Sequence, residues 1–211
     1  DQIVEGQDAS ANATLMRKWS RLEKIVGSPA RIQMIAKDIV EHFENRQMAM
    51  ETPVGKAMIV TMSRRIAVDL YEAIVKLRPD WHSDDLYKGK IKVVMTGSSS
   101  DPEHWQAHVG NKQKREVLAK RMKDNNDPLE IAIVRDMWLT GFDVPSLHTM
   151  YIDKPMRGHG LMQSIARVNR VFGPKQGGLV VDYIGIAANL KNALNDYTEK
   201  DRDTAGVNTD E

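Results

Sequence analysis

Residues 161–172 have the sequence LMQSIARVNRVF, in which apolar side chains recur at helical spacing. One face of the predicted helix carries apolar side chains, namely Leu161, Ile165, Val168 and Phe172. Gln163, Arg167 and Arg170 fall on the opposite face. Two aligned guanidinium groups can bind an anion, because the planar fork of arginine donates hydrogen bonds in pairs and keeps its charge. Taken alone, the pattern favours an ordinary amphipathic helix with a solvated basic face. The neighbouring sequence is needed to decide between such a face and an anion-binding site.

Around this stretch, short apolar runs alternate with helical segments. The runs are KAMIVT (56–61), IKVVM (91–95), IAIV (131–134), TMYI (149–152) and LVVD (179–182). Such alternation predicts βαβ units and a parallel sheet covered on both faces, which is an α/β fold. The helix of residues 161–172 would follow the fourth strand and pack its apolar face on this sheet.

The sequence before the first strand has a different character. Residues 13–45 show helical periodicity, interrupted at Gly27-Ser28-Pro29, where Ser28 is the predicted cap of a second helix. We therefore divide the chain into a helical lead-in or linker (1–50), an α/β domain (51–188) and the start of a following helical region or a disordered tail (189–211).

Hydroxyl groups, glycines and helix starts follow the predicted strands. After the second strand, Asp101-Pro102 is the predicted cap and first turn of a helix. In a parallel sheet these segments meet at one edge, beyond the carboxyl ends of the strands, where ligands bind. The candidate residues there are Thr61, Ser63, Arg64, Thr96, Gly97, Ser98, Thr140, Gly141 and Asp143. Hydroxyls and backbone amides at helix starts suit phosphate oxygens, so the pattern indicates a phosphate-rich ligand.

Composition narrows the class of protein. The chain has 211 residues, 41% hydrophobic and 28% charged, with a net charge of +1, which is typical of a globular protein. It has no cysteine, so disulfides and thiolate metal sites are excluded, and a cytoplasmic location is the expectation. No apolar run reaches the roughly 20 residues of a membrane span.

These segments resemble the conserved motifs of the second RecA-like domain of superfamily-two helicases and translocases. QSIARVNR (163–170) resembles motif six, with Ala166 where glycine is usual; LTGFDVP (139–145) resembles motif five, and MIVTMSR (58–64) resembles motif four. More narrowly, DMWLTGFDVPSLHTMYIDKPM (136–156) and GGLVVDYIGI (177–186) resemble the motor part of the R (restriction) subunit of type I restriction enzymes.

The resemblance implies a role for each candidate residue. Arg170 would be the arginine finger, Arg167 would hold the γ-phosphate of ATP, and Gln163 would couple nucleotide to DNA. Gly141 and Asp143 would bind the nucleotide, Asp143 through the ribose hydroxyl. The predicted DNA contacts are Thr61, Ser63, Arg64 and Thr140. For the turn that contains Thr96, Gly97 and Ser98, a phosphate contact and a plain loop are favoured equally.

The implied activity is an ATP-driven motor on double-stranded DNA, of which this chain would be half. The phosphate-cradling G-x-x-x-x-G-K-[ST] motif is absent from the sequence. ATP and Mg²⁺ would therefore bind only with the first RecA-like domain, which carries the Mg²⁺ ligands, and the isolated chain should be inactive. The other implied partners are a nuclease domain of the same subunit and the modification and specificity subunits of the complex. No interaction with a membrane is expected.

Other interpretations stay open. The chain could be a non-catalytic DNA- or nucleotide-binding module with a degenerate motor fold, or a motor acting on RNA. Lys112–Lys123 carries six basic residues, and a solvated helix face is favoured over a DNA-binding stripe. His104 and His108 lie four residues apart, but no third ligand accompanies them, so no metal site is predicted.

Overall fold

A computed structural model describes residues 2–49, 55–156, 158–169 and 177–185. The helices of these ranges are α1 (Gln2–Val26), α2 (Pro29–Ala49), α3 (Arg64–Leu77), α4 (Lys112–Lys123) and α5 (Gly158–Val168). The strands are β1 (Lys56–Thr61), β2 (Ile91–Val94), β3 (Ile131–Val134), β4 (Leu147–Asp153) and β5 (Leu179–Asp182). Arg170, Phe172 and the predicted tail at 189–211 lie outside the described residues.

The five strands form one sheet in the order β2-β3-β1-β4-β5, and all of the pairings are parallel. This confirms the predicted α/β class and the predicted position of every strand. β4 is longer than the predicted run of residues 149–152, since it also includes Leu147, His148 and Asp153. Asp153 is buried and paired with Arg31, which the apolar run did not reveal.

Alternation along β1 divides the core between the two faces of the sheet. Ala57 and Ile59 pack with α2 and α3 on one face, whereas Met58 and Val60 pack with α4 and α5 on the other. A strand buried on both faces has to be apolar throughout, which explains the continuous runs from which the strands were predicted.

The second helix of the lead-in covers part of the sheet. Six apolar residues of α2 are buried against it: Ile32, Ile35, Ala36, Ile39, Val40 and Phe43. Arg31 on the same helix donates to both carboxylate oxygens of Asp153, at 2.6 and 3.1 Å, and to the carbonyls of Val26 and Tyr183. The division at residue 50 remains a prediction, but α2 shares its core with the sheet.

One local prediction was wrong and another needs one exception. Asp101-Pro102 was expected to start a helix, but only a 3₁₀ turn, Glu103–Trp105, follows, and the Asp101 carboxylate bonds to Arg64 instead of capping. α4 has exposed lysines on its basic face, as expected, but Arg121 on the same helix is buried. Arg121 is buried because Asp127 and three carbonyls, those of Leu86, Lys88 and Gly89, accept its hydrogen bonds.

Candidate phosphate-binding edge

Because every strand points the same way, the segments that follow β1, β2 and β3 converge at the carboxyl edge of the sheet. This edge holds two groups of predicted site residues. One group follows β1 and β2 and includes Ser63, Arg64 and Thr96–Ser98. The other consists of the loop between β3 and β4 (residues 135–146) and helix α5.

The residues after β1 are fixed by the start of α3. The Ser63 hydroxyl accepts a hydrogen bond from the backbone N–H of Ile66, which makes Ser63 the N-cap of this helix. Arg64 then projects toward the loop after β2, where it donates to Asp101 at 2.6 Å and to the Thr96 carbonyl at 3.0 Å. Its guanidinium also lies 5.5 Å from the ring centre of Trp105.

The loop after β2 is open to solvent. Thr96, Gly97 and Ser98 are all exposed, and Arg64 and Arg135 line a cavity of about 330 Å³ with them. Gly97 has no room for a side chain, since an added Cβ would lie 2.3 Å from Val109. Arg135, for which the sequence suggested no role, is 49% exposed at this cavity and pairs with Asp136 at 3.1 Å.

Thr61 does not fit its predicted role. Its side chain is fully buried, and its hydroxyl donates to the carbonyls of Val134 and Ser63. A DNA phosphate cannot reach a hydroxyl in this position, so the prediction that Thr61 contacts DNA is not supported for its side chain. Thr61 instead ties the end of β1 to the end of β3.

The loop between β3 and β4 has an unusual backbone. Gly141 has φ +70°, in the left-handed region that favours glycine, and Thr140 and Asp143 beside it are exposed. The space around Gly141 is open, so its backbone conformation accounts for the glycine without any close approach of another group. Trp138 also has a positive φ, +67°, and its ring stacks on Phe142 with ring centres 4.2 Å apart. A tryptophan in this region is strained, and such strain is most often found at functional sites.

Arg167 joins this loop to α5. It donates through Nε to the Leu139 carbonyl at 2.7 Å and through Nη1 to the Phe142 carbonyl. The segments that resemble motifs five and six are therefore in direct contact. Gln163 lies on the same helix and is partly buried, whereas Arg170 lies outside the described residues.

Two buried or partly buried groups were missed or left without a role by the sequence analysis. Lys56 is fully buried at the start of β1, and its ammonium donates to the carbonyls of Arg121 and Leu129 at 2.9 and 2.7 Å. Burial lowers the pKa of Lys56 to about 8. His108 packs edge-on against Tyr71, and burial lowers the pKa of His108 to about 4, so the ring is neutral at pH 7.

Within the described ranges, no three histidine, aspartate or glutamate side chains are grouped to hold a metal ion.

Comparisons of the chain with known proteins agree on one family. Residues 104–185 match the family model for domain 3 of the type I restriction enzyme subunit R. The chain is 54% identical over 179 residues to the type I restriction enzyme HindI endonuclease subunit of Haemophilus influenzae, which covers 83% of this chain and 17% of that protein. It is 46% identical over 205 residues to a candidate type I endonuclease subunit, MjaIXP, of Methanocaldococcus jannaschii, which covers 96% of this chain and 19% of that protein.

A solved structure supports the fold. A fragment from Vibrio vulnificus YJ016, named as a candidate HsdR subunit of a type I restriction enzyme, superposes with a TM-score of 0.56 at 14% identity. The match covers 81% of this chain and 30% of that one. None of the helices in the described ranges is long and apolar enough to cross a bilayer. The chain spans less than a fifth of the length of the two curated relatives named above. Together these findings place the chain, with its RecA-like α/β fold, in the family of type I restriction enzyme R subunits.

Proposed function

We propose that this chain is the second RecA-like half of an ATP-driven motor that moves along double-stranded DNA in a type I restriction enzyme R subunit. The observation that carries the proposal is the contact between Arg167 and the loop of residues 135–146. It brings together two segments, each with candidate nucleotide ligands, that lie 25 to 28 residues apart in the chain.

One part of the edge would serve the nucleotide. Asp143 and Gly141 would lie at the sugar, whereas Arg167 and Arg170 would stabilise the negative charge that develops on the transferring γ-phosphoryl group. Gln163 would transmit the state of the nucleotide to the DNA side. Mg²⁺ and the phosphate cradle would come from the first RecA-like domain, because the sequence of this chain has no cradle motif.

The other part would bind the DNA backbone. Ser63, Arg64, Thr96, Gly97, Ser98 and Thr140 offer hydroxyls, main-chain amides and one guanidinium, all of which suit phosphate oxygens. Such contacts do not distinguish one base pair from another, which fits a motor that has to move along any sequence. The specificity and modification subunits would then recognise the target site, and the nuclease domain would cut, in the cytoplasm.

The test is DNA-stimulated ATP hydrolysis by the intact R subunit that contains this chain. We expect Arg167→Ala and Arg170→Ala each to lower turnover by orders of magnitude, since arginine fingers are worth about 10³–10⁵ in rate. Arg17→Ala, which removes an exposed arginine from α1, is the matched control and should leave turnover unchanged.

The same measurement tests the alternative of a non-catalytic binding module. If the intact subunit binds DNA normally but its ATP turnover is insensitive to both arginine substitutions, the motor assignment is wrong. Stimulation by RNA instead of double-stranded DNA would point to an RNA motor.

A further inference from the structure

Asp101 forms an ion pair with Arg64, the cation that is best placed to bind DNA. Arg64 is the arginine among the proposed DNA contacts, and its Nη1 atom donates to Oδ2 of Asp101 at 2.6 Å. The guanidinium is 28% exposed and the Asp101 side chain 4% exposed, so the pair is shielded from water on the side of the carboxylate. An ion pair in such a position is screened less than one on the open surface.

The same carboxylate oxygen also accepts a second hydrogen bond. The backbone N–H of Ser98 donates to Oδ2 of Asp101 at 2.7 Å. A guanidinium and a main-chain amide that converge on one anionic oxygen are the donors with which proteins bind a phosphate oxygen. Asp101 is ionised at neutral pH, because the hydrogen bond from Arg64, helped by the Ser98 amide, holds the pKa of Asp101 below its usual value.

The surroundings of these donors are open enough for a nucleic acid backbone. Thr96, Gly97 and Ser98 are exposed, and they line the cavity of about 330 Å³ together with Arg64. Asp101 follows in the same loop, three residues after Ser98 and outside the strands of the sheet. The anion-binding donors are thus at the surface, with an anion of the protein itself already bound.

We infer that the carboxylate of Asp101 occupies the position of a DNA phosphate, and that DNA has to displace it from Arg64 and the Ser98 amide in order to bind. The inference rests on the proposed DNA-binding function of this edge and adds a residue that limits the affinity. Low affinity for each phosphate suits a motor, because each phosphate contact has to be broken at every step along the DNA.

The opposite role for Asp101 makes the opposite prediction. If the carboxylate serves to aim Arg64 at DNA, then removing its charge will leave the guanidinium misplaced and binding will weaken. If it competes with phosphate, removing its charge will weaken its hydrogen bonds to both donors, so a phosphate can replace it more easily and binding will tighten. The sign of the change therefore separates the two roles.

The experiment measures the binding of a labelled DNA duplex of arbitrary sequence to the 211-residue chain by fluorescence anisotropy, over a series of salt concentrations. We expect Asp101→Asn to tighten binding about tenfold at low salt, because a neutral amide oxygen holds Arg64 and the Ser98 N–H less strongly than a carboxylate does. The slope of log K against log salt should steepen by about 0.9, the value for one additional phosphate contact. Circular dichroism confirms that each variant is folded.

Two controls make the result specific. Glu103→Gln removes one negative charge from the exposed 3₁₀ turn two residues later, and it measures the general effect of charge near DNA. In the Arg64→Ala background, Asp101→Asn should gain no more than Glu103→Gln does, because the freed cation is missing.

Weaker or unchanged binding by Asp101→Asn, or a gain equal to that of Glu103→Gln, would overturn the inference while leaving the DNA-binding surface intact. The surface itself would be refuted by a different result, in which Arg64→Ala does not alter DNA binding by the wild-type chain or by Asp101→Asn.

Discussion

The ion pair between Arg31 and Asp153 is expected to be the contact that holds the helical lead-in to the carboxyl edge of the sheet. Asp153 is 2% exposed at the end of β4, and Arg31 on α2 is its bidentate partner, with both N···O distances at or below 3.1 Å. Arg31→Met would leave a buried carboxylate without its counter-charge. Breaking a buried pair in this way costs about 3–5 kcal/mol of unfolding free energy.

The assay is urea and thermal unfolding of the 211-residue chain. A loss of about 3–5 kcal/mol should lower the melting temperature by roughly 6–20 °C for a chain of this size. A matched control contacts the same helix. Arg78, at the end of α3, also donates two hydrogen bonds to a carboxylate of α2, that of Glu44, through Nε and Nη2. Both side chains are about one-third exposed, so Arg78→Met should cost far less stability than Arg31→Met.

A double-mutant cycle then identifies the cause. Asp153→Asn in the Arg31→Met background should recover part of the lost stability, because the uncompensated charge is gone. The reasoning is refuted if Arg31→Met costs no more than Arg78→Met, or if the Arg31 and Asp153 substitutions are simply additive. Either result would mean that α2 is held by its apolar face alone.

Three further predictions concern charge and function. The pKa of Lys56 in the folded chain, about 8, lies below the ordinary 10.5, so the unfolded state holds more protons between these values and stability should rise with pH. Relative to Lys56→Met, the wild type should gain about 1.5 kcal/mol between pH 8 and 9.5, as measured by urea unfolding; a flat difference would contradict this. The 211-residue chain should bind duplex DNA weakly and lose affinity as salt rises, and tight, salt-independent binding to one sequence would point to a site-specific reader. It should not hydrolyse ATP with or without DNA, and turnover by a preparation free of contaminating ATPases would exclude the proposed half-motor.

The fold could be predicted from the sequence because the inner strands β1 and β3 are buried on both faces. A strand with helices on either side has no polar alternation, so KAMIVT and IAIV appear as continuous apolar runs. Lys56 was included in such a run without explanation. The carbonyls that accept from its ammonium belong to Arg121 and Leu129, 65 and 73 residues away, and no local pattern indicates them.

The candidate site was predictable in position but not in its contacts. The parallel order of the strands was enough to bring Ser63, Arg64 and Ser98 to one edge, since strand direction alone decides where the following loops lie. Asp101 was placed in the same loop but was given the role of a helix cap. An Asp-Pro pair is a common helix start, and only the folded loop shows that the carboxylate turns back to Arg64.

Arg167 shows why the contacts could not be foreseen. Helical spacing assigned it correctly to the polar face of α5. Such a face is ordinarily expected to contact solvent or a ligand. Its partners in the structure are two backbone carbonyls, of Leu139 and Phe142, which every residue possesses and which no side-chain pattern distinguishes. They point at Arg167 because the loop reverses through left-handed backbone at Trp138 and Gly141, a conformation that glycine permits but that the sequence does not predict for tryptophan. Trp138 also stacks on Phe142, whose carbonyl accepts from Arg167, so an aromatic pair that no sequence pattern indicated lies at the contact between this loop and α5.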